Sequence, residues 1–375
     1  MKYWELFNLD TFWDLVDDGY IRTQVHPDFP ELRIANYAEK TVFDRNWTPE
    51  TRASRGLIFN IDNGDVLARP FPKFFNYGEG CAPELRPDME VWASDKMDGS
   101  LGVIYVTPAG DVAVATRGSF ASDQAKHATR VLNEKYPEWC TAFRRYTEAF
   151  THLALTPLVE IIYPENRIVC DYGSTDDLVL LGAIEVYTGR YLMPSEVGWD
   201  GPRTKMFDFD NLSQALAAPP RPGAEGMVLY IPEIHDWVKL KQEDYVELHR
   251  IVTGLSARRV FEALRSGQTV EEICAPLPDE FHSFVRDVAD VLRKQVDYRI
   301  TASLQMHVWI MEYVMSKGVT DRQFRKEYAL LAKDAQYPSL LFALLDERDI
   351  TDKVWELFEP SADWVPSNHD RFMRK

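Results

Sequence analysis

Short apolar runs separated by polar turns dominate the first 250 residues of the chain. Residues 55–71 contain two such runs around an Asp-Asn-Gly-Asp turn, and residues 100–119 contain two around positions 108–111. Each segment predicts a β-hairpin, because the turn residues suit tight loops and the flanking runs are rich in strand-forming residues. Further strands are predicted at residues 158–163, 177–187, 226–231 and 236–241.

Helical patterns accompany these strands. Residues 10–19 predict an N-terminal helix that ends at Gly19, and a polar helical stretch is predicted from about Ser122 to Phe150. The proline-rich segment 217–224 is predicted to be a loop that leads into a strand.

Beyond about residue 250 the periodicity changes. Apolar residues now recur every three or four positions, as in Phe281, Phe284, Val285, Val288, Val291 and Leu292, and again in Leu340, Leu341, Leu344 and Leu345. This spacing is typical of amphipathic helices. The sequence therefore predicts an α+β fold with a strand-rich domain at 1–250 and an all-helical domain at 251–375, divided somewhere between residues 245 and 260.

Composition narrows the class of protein. A chain of 375 residues can form two domains with full cores. Its four cysteines lack the spacing of zinc ligands, and the sequence lacks a long apolar span and a secretory leader, so a reduced, cytoplasmic protein without membrane contact is expected. The net charge of −17 argues against a nucleic-acid binder, although binding depends on where basic groups cluster.

Candidate chemistry begins at S-D-K-M-D-G-S-L-G, residues 94–102. Lys96 could be an ordinary surface charge or a nucleophile, with Asp98 beside it to manage a proton or a metal ion. A lysine nucleophile needs a lone pair, which desolvation or neighbouring cations favour. Lys239 and Lys241 supply such cations, since two positions apart on a strand they share one face. The pair suits a bound phosphate, but a solvated edge strand also carries lysines.

Two glutamates interrupt runs that are otherwise fit for burial. Glu160 lies within L-V-E-I-I-Y, and Glu225 opens E-G-M-V-L-Y-I. A buried carboxylate is costly unless it pairs with a cation, binds a metal or accepts good hydrogen bonds. Each glutamate alone could belong to a structural ion pair.

Taken in order, K-M-D-G, V-E-I-I-Y, E-G-M-V and V-K-L-K resemble the motifs of the covalent nucleotidyltransferases, which include DNA ligases, RNA ligases and mRNA capping enzymes. The chain is more narrowly similar to the bacteriophage RNA ligase 1 family, through the segments 54–59, 69–76, 116–119 and 163–169. In T-R-G-S, Arg117 stands where that family often has lysine. The resemblance spans residues 30–245 and implies ATP-grasp-like antiparallel sheets with flanking helices, followed by a helical domain.

The resemblance also implies a mechanism. Lys96 would attack the α-phosphate of ATP and form a lysyl-adenylate, from which AMP passes to an RNA 5′-phosphate before a 3′-hydroxyl seals the strand. Glu160 would bind the ribose, Glu225 would hold Mg²⁺ or Mn²⁺, and Lys239 and Lys241 would bind the α-phosphate. The other nucleotide contacts implied are Arg55, Lys73, Phe75 and Arg117, with Asp98 orienting the nucleophile loop and Gly99 allowing close approach of the nucleotide.

The expected partner is RNA with 5′-phosphate and 3′-hydroxyl ends, nicked tRNA included, and the expected state is a monomer. A DNA ligase or capping enzyme is the first alternative, but both usually carry an OB-fold where this chain is helical. A catalytically dead RNA-binding relative is the second. A P-loop kinase is disfavoured, because the chain lacks G-x-x-x-x-G-K-[ST].

Basic residues recur in the helical region: Arg258, Arg259, Arg293, Lys294, Arg322, Arg325 and Lys326. Our hypothesis is that Arg258 and Arg259 contact RNA phosphates. The alternative is that these residues form solvated helix faces.

Overall fold

The computed structural model describes residues 1–150, 154–242, 245, 255–275, 277, 281–357 and 359–360. The chain separates into two compact units, Met1–Thr253 and Gly254–Lys375. Among the described residues, no helix combines the length and apolar character needed to cross a bilayer.

The first unit is built on three sheets. The first has the strand order β1-β2-β3-β4, with β1 (Ile21–Val25), β2 (Leu32–Tyr37), β3 (Arg55–Asn60) and β4 (Val66–Ala68). The second has the order β11-β10-β9-β7-β8, with β7 (Ser100–Val106), β8 (Val112–Thr116), β9 (Leu155–Ile162), β10 (Asp177–Glu185) and β11 (Tyr191–Leu192). The third has the order β12-β6-β13-β14-β5, with β5 (Phe75–Asn76), β6 (Trp92–Asp95), β12 (Met206–Phe207), β13 (Gly226–Ile231) and β14 (Asp236–Lys241).

Pairing within the sheets is antiparallel except between β14 and β5, which run parallel. One apolar core joins all three sheets and includes Ile34, Val103 and Trp237. Because side chains alternate across a strand, the opposite faces remain available for helices. The helices of this unit are α1 (Leu9–Asp17), α2 (Glu39–Asp44), α3 (Pro49–Ala53), α4 (Asp123–Lys135), α5 (Pro137–Ala149) and α6 (Leu212–Leu216).

The helical stretch predicted from about Ser122 to Phe150 is helical in the structure and is divided into two helices, α4 and α5. Tyr136 leaves helical geometry, with φ −126° and ψ 44°, directly before Pro137. A residue before proline is pushed out of the helical region, while proline itself fits the first position of a new helix. Both helices pack on the second sheet through a core that includes Trp139 and Leu180.

The second unit is helical throughout its described part. Its elements are α7 (Ala257–Arg265), α8 (Val270–Cys274), α9 (His282–Ser316), α10 (Asp321–Ala332), α11 (Pro338–Leu345) and α12 (Thr351–Glu356). The predicted stripe lies mostly inward on α9, where Val285, Val288 and Leu292 are fully buried. The fold class predicted from the sequence, α+β with antiparallel sheets and a helical C-terminal region, is confirmed.

Candidate active site

Strand pairing brings the candidate nucleophile beside the candidate metal ligand. β6 pairs with β13 so that Asp95 lies opposite Met227, which places Lys96 next to the start of β13. The Lys96 backbone N–H donates to the carbonyl of Gly226 at 3.0 Å. Since β13 also pairs with β14, Gly226 lies opposite Lys241. Three segments far apart in the sequence therefore converge on one point.

The convergence creates a buried cluster of charges. Lys96 Nζ lies 2.5 Å from Glu225 Oε1, and Lys241 Nζ lies 2.9 Å from the same oxygen. The Glu225 side chain is 3% exposed, that of Lys241 9% and that of Lys96 20%. One carboxylate oxygen thus holds two ammonium groups in a site largely shielded from water. Charges placed this way interact strongly and can be displaced only by other charged groups.

Glu160 forms the second acidic position. It lies on β9, opposite Leu101 of β7, and its Oε1 accepts a hydrogen bond from the Gly99 N–H at 3.0 Å. Burial raises the pKa of Glu160 to about 8, against the opposing attraction of Lys96 and Arg55 and with a further increase from Glu225. In the folded protein at neutral pH this carboxyl group therefore retains a proton.

Asp98 anchors the turn that carries the nucleophile. Its Oδ2 accepts from the backbone N–H groups of Val169 and Cys170 at 2.9 and 2.7 Å, and its Oδ1 accepts from the Tyr245 hydroxyl at 2.7 Å. The Asp98 N–H donates to the Tyr172 hydroxyl at 2.8 Å. Asp98 is only 3% exposed, so its side chain is buried and is held in place by these hydrogen bonds. The sequence suggested two roles for Asp98, which were to manage a proton or a metal ion and to orient the nucleophile loop. The contacts favour the second role.

Gly99 lets the turn that carries Lys96 pack closely on β9. A Cβ at this position would lie 2.6 Å from the Ile161 carbonyl oxygen and 2.7 Å from the Ile162 side chain. The structure therefore shows a close approach of this turn to β9, and the close approach of a nucleotide stays a prediction. Tight packing of the turn on β9 sets the position of Lys96 relative to Glu160.

Lys239 and Lys241 differ in their surroundings although they share a face of β14. Val238 lies on the opposite face of β14, where it is fully buried in the core between the third sheet and α6. Lys239 Nζ lies 5.4 Å from the centre of the Phe74 ring, and the Arg55 guanidinium lies at the same distance from that ring. β14 runs between β13 and β5, so it is not the solvated edge strand considered as an alternative. We call the surface formed by Lys239, Lys241 and Arg55 the wall of the site. These three side chains give it a strong positive charge.

Lys73 is enclosed by aromatic rings. Its Nζ lies 5.1 Å from the centre of Trp47 and 5.4 Å from the centres of Tyr37 and Phe75. The faces of these rings are electronegative and stabilise a cation without carrying a charge themselves. At 5% exposure, Lys73 is thus a buried ammonium group held by three rings.

Arg117 also contacts Tyr37, one of the three rings around Lys73. Its Nη1 donates to the Tyr37 hydroxyl at 2.9 Å, and its guanidinium lies 5.0 Å from the ring centre. Arg117 and Lys73 therefore share one aromatic residue. The contact connects the T-R-G-S motif to the cage.

Sequence reasoning missed four aromatic residues of the site: Tyr37, Trp47, Tyr172 and Tyr245. Their role depends on contacts with residues distant in the sequence. Tyr245 carried the best available signal, because it follows Lys241 by four positions in a segment that otherwise becomes polar. Tyr37 and Trp47 carried no comparable signal.

Few of the described side chains in the site are placed to bind a metal ion. Within the described ranges, no group of three or more His, Cys, Asp or Glu side chains is placed to hold a metal ion. Mg²⁺ commonly binds through one or two carboxylates together with substrate phosphates. The Glu225 carboxylate supplies the oxygen ligands of that mode, and a metal ion there would replace the cations Lys96 and Lys241 as its partners.

Arg258 and Arg325 of the helical unit form exposed ion pairs with acidic residues. Arg258 pairs with Glu262 at 3.2 Å and with Glu359 at 2.6 Å, and Arg325 pairs with Asp346 at 2.6 Å. Such exposed pairs are what the solvated-face alternative expects. The side chain of Arg322 lies outside the described residues.

Comparison with known proteins assigns the family. The sequence model of the RNA ligase family matches residues 53–245, which contain Lys96, Glu160, Glu225, Lys239 and Lys241. The chain belongs to this family, that of bacteriophage RNA ligase 1.

Individual relatives are more distant. A Thermovibrio ammonificans protein, whose assignment as an RNA ligase is provisional, is 32% identical over 224 residues, which cover 56% of each chain. RNA ligase 1 of bacteriophage TS2126 is 29% identical over 153 residues, covering 39% of this chain and 38% of the phage protein. The chain thus spans about half the length of these curated relatives or less. Among solved structures, an archaeal ATP-dependent RNA ligase matches with a TM-score of 0.41 and 16% identity over 68% of this chain and 64% of the archaeal one.

Proposed function

We propose that the protein is an ATP-dependent RNA ligase that joins 5′-phosphate and 3′-hydroxyl ends through a lysyl-adenylate on Lys96. The observation that carries the proposal is the buried contact of Lys96 and Lys241 with one oxygen of Glu225, within the region matched by the family. A lysine in a buried contact of this kind differs from an ordinary lysine on the surface, whose charge is surrounded by water. The relatives named RNA ligase support the choice of RNA as the substrate.

The first step transfers an adenylyl group. The Lys96 amine donates its lone pair to the α-phosphorus of ATP, the bond from that phosphorus to the bridging oxygen breaks, and pyrophosphate leaves with the electron pair. Lys96 must first release its proton to solvent water, and the neutral amine then separates from Glu225. Phosphate oxygens offer Lys241 and Lys239 a replacement anion. Mg²⁺, when bound, supplies charge neutralisation at the phosphates, and Glu225 is the residue that would hold it.

The remaining residues bind and orient the nucleotide. Glu160, protonated at neutral pH, can both donate to and accept from ribose hydroxyls. Arg55 and the caged Lys73 bring positive charge to the wall where the outgoing phosphates would lie. Phe75 lines that wall as one ring of the cage, and Arg117 extends it. Preorganised cations of this kind stabilise the charge that develops on the leaving group.

The second and third steps use the RNA ends. An oxygen of the 5′-phosphate attacks the adenylyl phosphorus, the N–P bond breaks, and Lys96 regains its proton. The 3′-hydroxyl then attacks the activated 5′-phosphate and loses its proton to solvent water, and AMP leaves with the electrons of the broken bond. The terminal phosphate alone is a poor electrophile, and the covalent intermediate divides one difficult substitution into feasible ones.

The biological setting that we propose is repair of broken RNA in the cytoplasm by a monomer. A nicked tRNA fits the proposal because it presents both ends in one molecule. The four cysteines are free thiols, which agrees with a reducing compartment.

The testing experiment separates a live ligase from a dead relative and RNA from DNA. Incubation with α-labelled ATP and Mg²⁺ should leave label on the wild-type protein and none on Lys96→Arg, which keeps the positive charge beside Glu225. The labelled protein should circularise a 5′-phosphorylated single-stranded RNA faster than it seals a nicked DNA duplex. Absence of label on the wild type contradicts the proposal, and faster sealing of nicked DNA favours the DNA ligase alternative.

A further inference from the structure

Arg221 joins the two strand ends that carry Lys96 and Glu225. It lies in the proline-rich loop before β13, and its Nη2 donates to Asp95 Oδ1 at 2.8 Å and to the Gly226 carbonyl at 2.6 Å. Asp95 directly precedes Lys96 in the chain, and Gly226 directly follows Glu225. One guanidinium therefore holds both neighbours of the ion pair at once.

The Gly226 carbonyl is the common point of attachment. It accepts from the Lys96 N–H at 3.0 Å as well as from Arg221. Gly226 has φ +150°, and a Cβ there would lie 2.0 Å from the Leu240 carbonyl oxygen, so the start of β13 is packed directly against β14. The backbone of Lys96 and the side chain of Arg221 are thus fixed to the same rigid position.

Arg221 is itself held in place. Its guanidinium lies 4.5 Å from the centre of the Phe207 ring on β12, and its backbone N–H donates to Gln242 Oε1 at 2.8 Å. The Arg221 side chain is 28% exposed and that of Asp95 23%. Stacking on an aromatic ring and a planar arrangement of donors are properties of arginine that lysine lacks.

We propose that Arg221 is a positioning residue that sets the place of Lys96 relative to Glu225, and thereby the rate of adenylyl transfer once ATP is bound. The inference rests on the proposed function. Arg221 acts through Asp95 and the Gly226 carbonyl, not through contact with the nucleotide. A displacement of about 1 Å in a reacting group can lower a rate by about 100-fold, so the loss of this bridge should slow chemistry more than binding.

The test measures single-turnover adenylyl transfer with α-labelled ATP in the wild type, Arg221→Ala, Arg221→Lys and a control, Arg190→Lys. Arg190 also pairs with one carboxylate, Glu185 at 2.9 Å, but on the β10–β11 hairpin. We expect both Arg221 variants to lower the rate at saturating ATP by about 10- to 100-fold with ATP affinity nearly unchanged. Low-millimolar guanidinium should restore much of the rate in Arg221→Ala, whereas ammonium should not, and Arg190→Lys should match the wild type.

Two results would overturn the inference while leaving the proposed function intact, since the wild type would still be labelled. One is a wild-type rate in both Arg221 variants. The other is a parallel loss of rate, ATP affinity and thermal stability in Arg221→Lys that guanidinium does not correct in Arg221→Ala, which would make Arg221 merely structural. A wild type that takes up no label at all refutes the proposed function instead.

Discussion

The charged pairs of the two units differ in how far water reaches them. Glu225 and Lys241 in the sheet unit are 3% and 9% exposed, whereas Arg325 and Asp346 in the helical unit are 69% and 27% exposed. An exposed pair contributes about 0 to 1 kcal/mol, because water screens it. A buried pair must overcome the cost of removing two charges from water and is weak grounds for stability by itself. Burial of Glu225 and Lys241 beside Lys96 therefore points to a functional demand.

Removal of the buried carboxylate should have the largest effect. Glu225→Gln leaves Lys96 and Lys241 close together without the anion that holds them. We expect adenylyl transfer to fall by at least about 100-fold and the free energy of unfolding to fall by roughly 3 to 5 kcal/mol. The measurements are single-turnover labelling and chemical denaturation.

Glu185→Gln is the matched control, because it removes a carboxylate paired with one arginine outside the site. It should leave adenylyl transfer unchanged. Equal loss of activity in both variants would mean that the buried cluster has no special role.

The second prediction concerns pH. The folded protein keeps a proton on Glu160 up to about pH 8, because burial raises the pKa of this carboxyl group, while the unfolded chain releases it near the ordinary glutamate pKa of 4.5. The unfolded state therefore binds fewer protons in this window, and stability falls as pH rises from about 4.5 to about 8. Glu160→Gln cannot titrate, so its stability relative to the wild type should increase across that window.

Unfolding in urea at pH 5 and at pH 8 tests this directly. A difference between the Glu160→Gln variant and the wild type that is the same at both pH values would show that Glu160 ionises normally in the folded state.

The third prediction addresses RNA contact in the helical unit. If Arg258 and Arg259 touch phosphates, the double change to alanine should weaken RNA binding and reduce the slope of log affinity against log salt by about 2. Adenylyl transfer should stay at the wild-type rate. The measurement is a binding titration at several salt concentrations, and an unchanged affinity and slope would leave the two arginines as a solvated helix face.

The smallest effect is expected at the exposed ion pair of Arg325 and Asp346 in the helical unit. Arg325→Ala removes a contact to Asp346 that Arg348 also makes, so stability should change by less than about 1 kcal/mol. A loss as large as that of Glu225→Gln would remove the distinction between the two regions.

Local pattern was enough to predict the strands and hairpins that carry the site. Alternation in W-V-K-L-K-Q placed Lys239 and Lys241 on one face, and the glutamates stood out because they interrupt apolar runs. The break between α4 and α5 was not predicted, although Pro137 marks it in the sequence. These features depend on residues a few positions apart.

Contacts between distant segments could not be read in this way. The pairing of β6 with β13 decides that Lys96 meets Glu225, and nothing local to residue 96 encodes that pairing. The aromatic cage of Lys73 and the bridge of Arg221 arise in the same manner from tertiary packing. Gly99 shows the limit most clearly, because its requirement was predicted but its partner, β9, was not.

The most direct test of the account is mass spectrometry of the purified protein after exposure to ATP and Mg²⁺. We predict a gain of one adenylyl group, mapped by peptide analysis to the amine of Lys96 and lost when a 5′-phosphorylated RNA is added. A protein that remains unmodified, or that carries the group on another residue, contradicts the account.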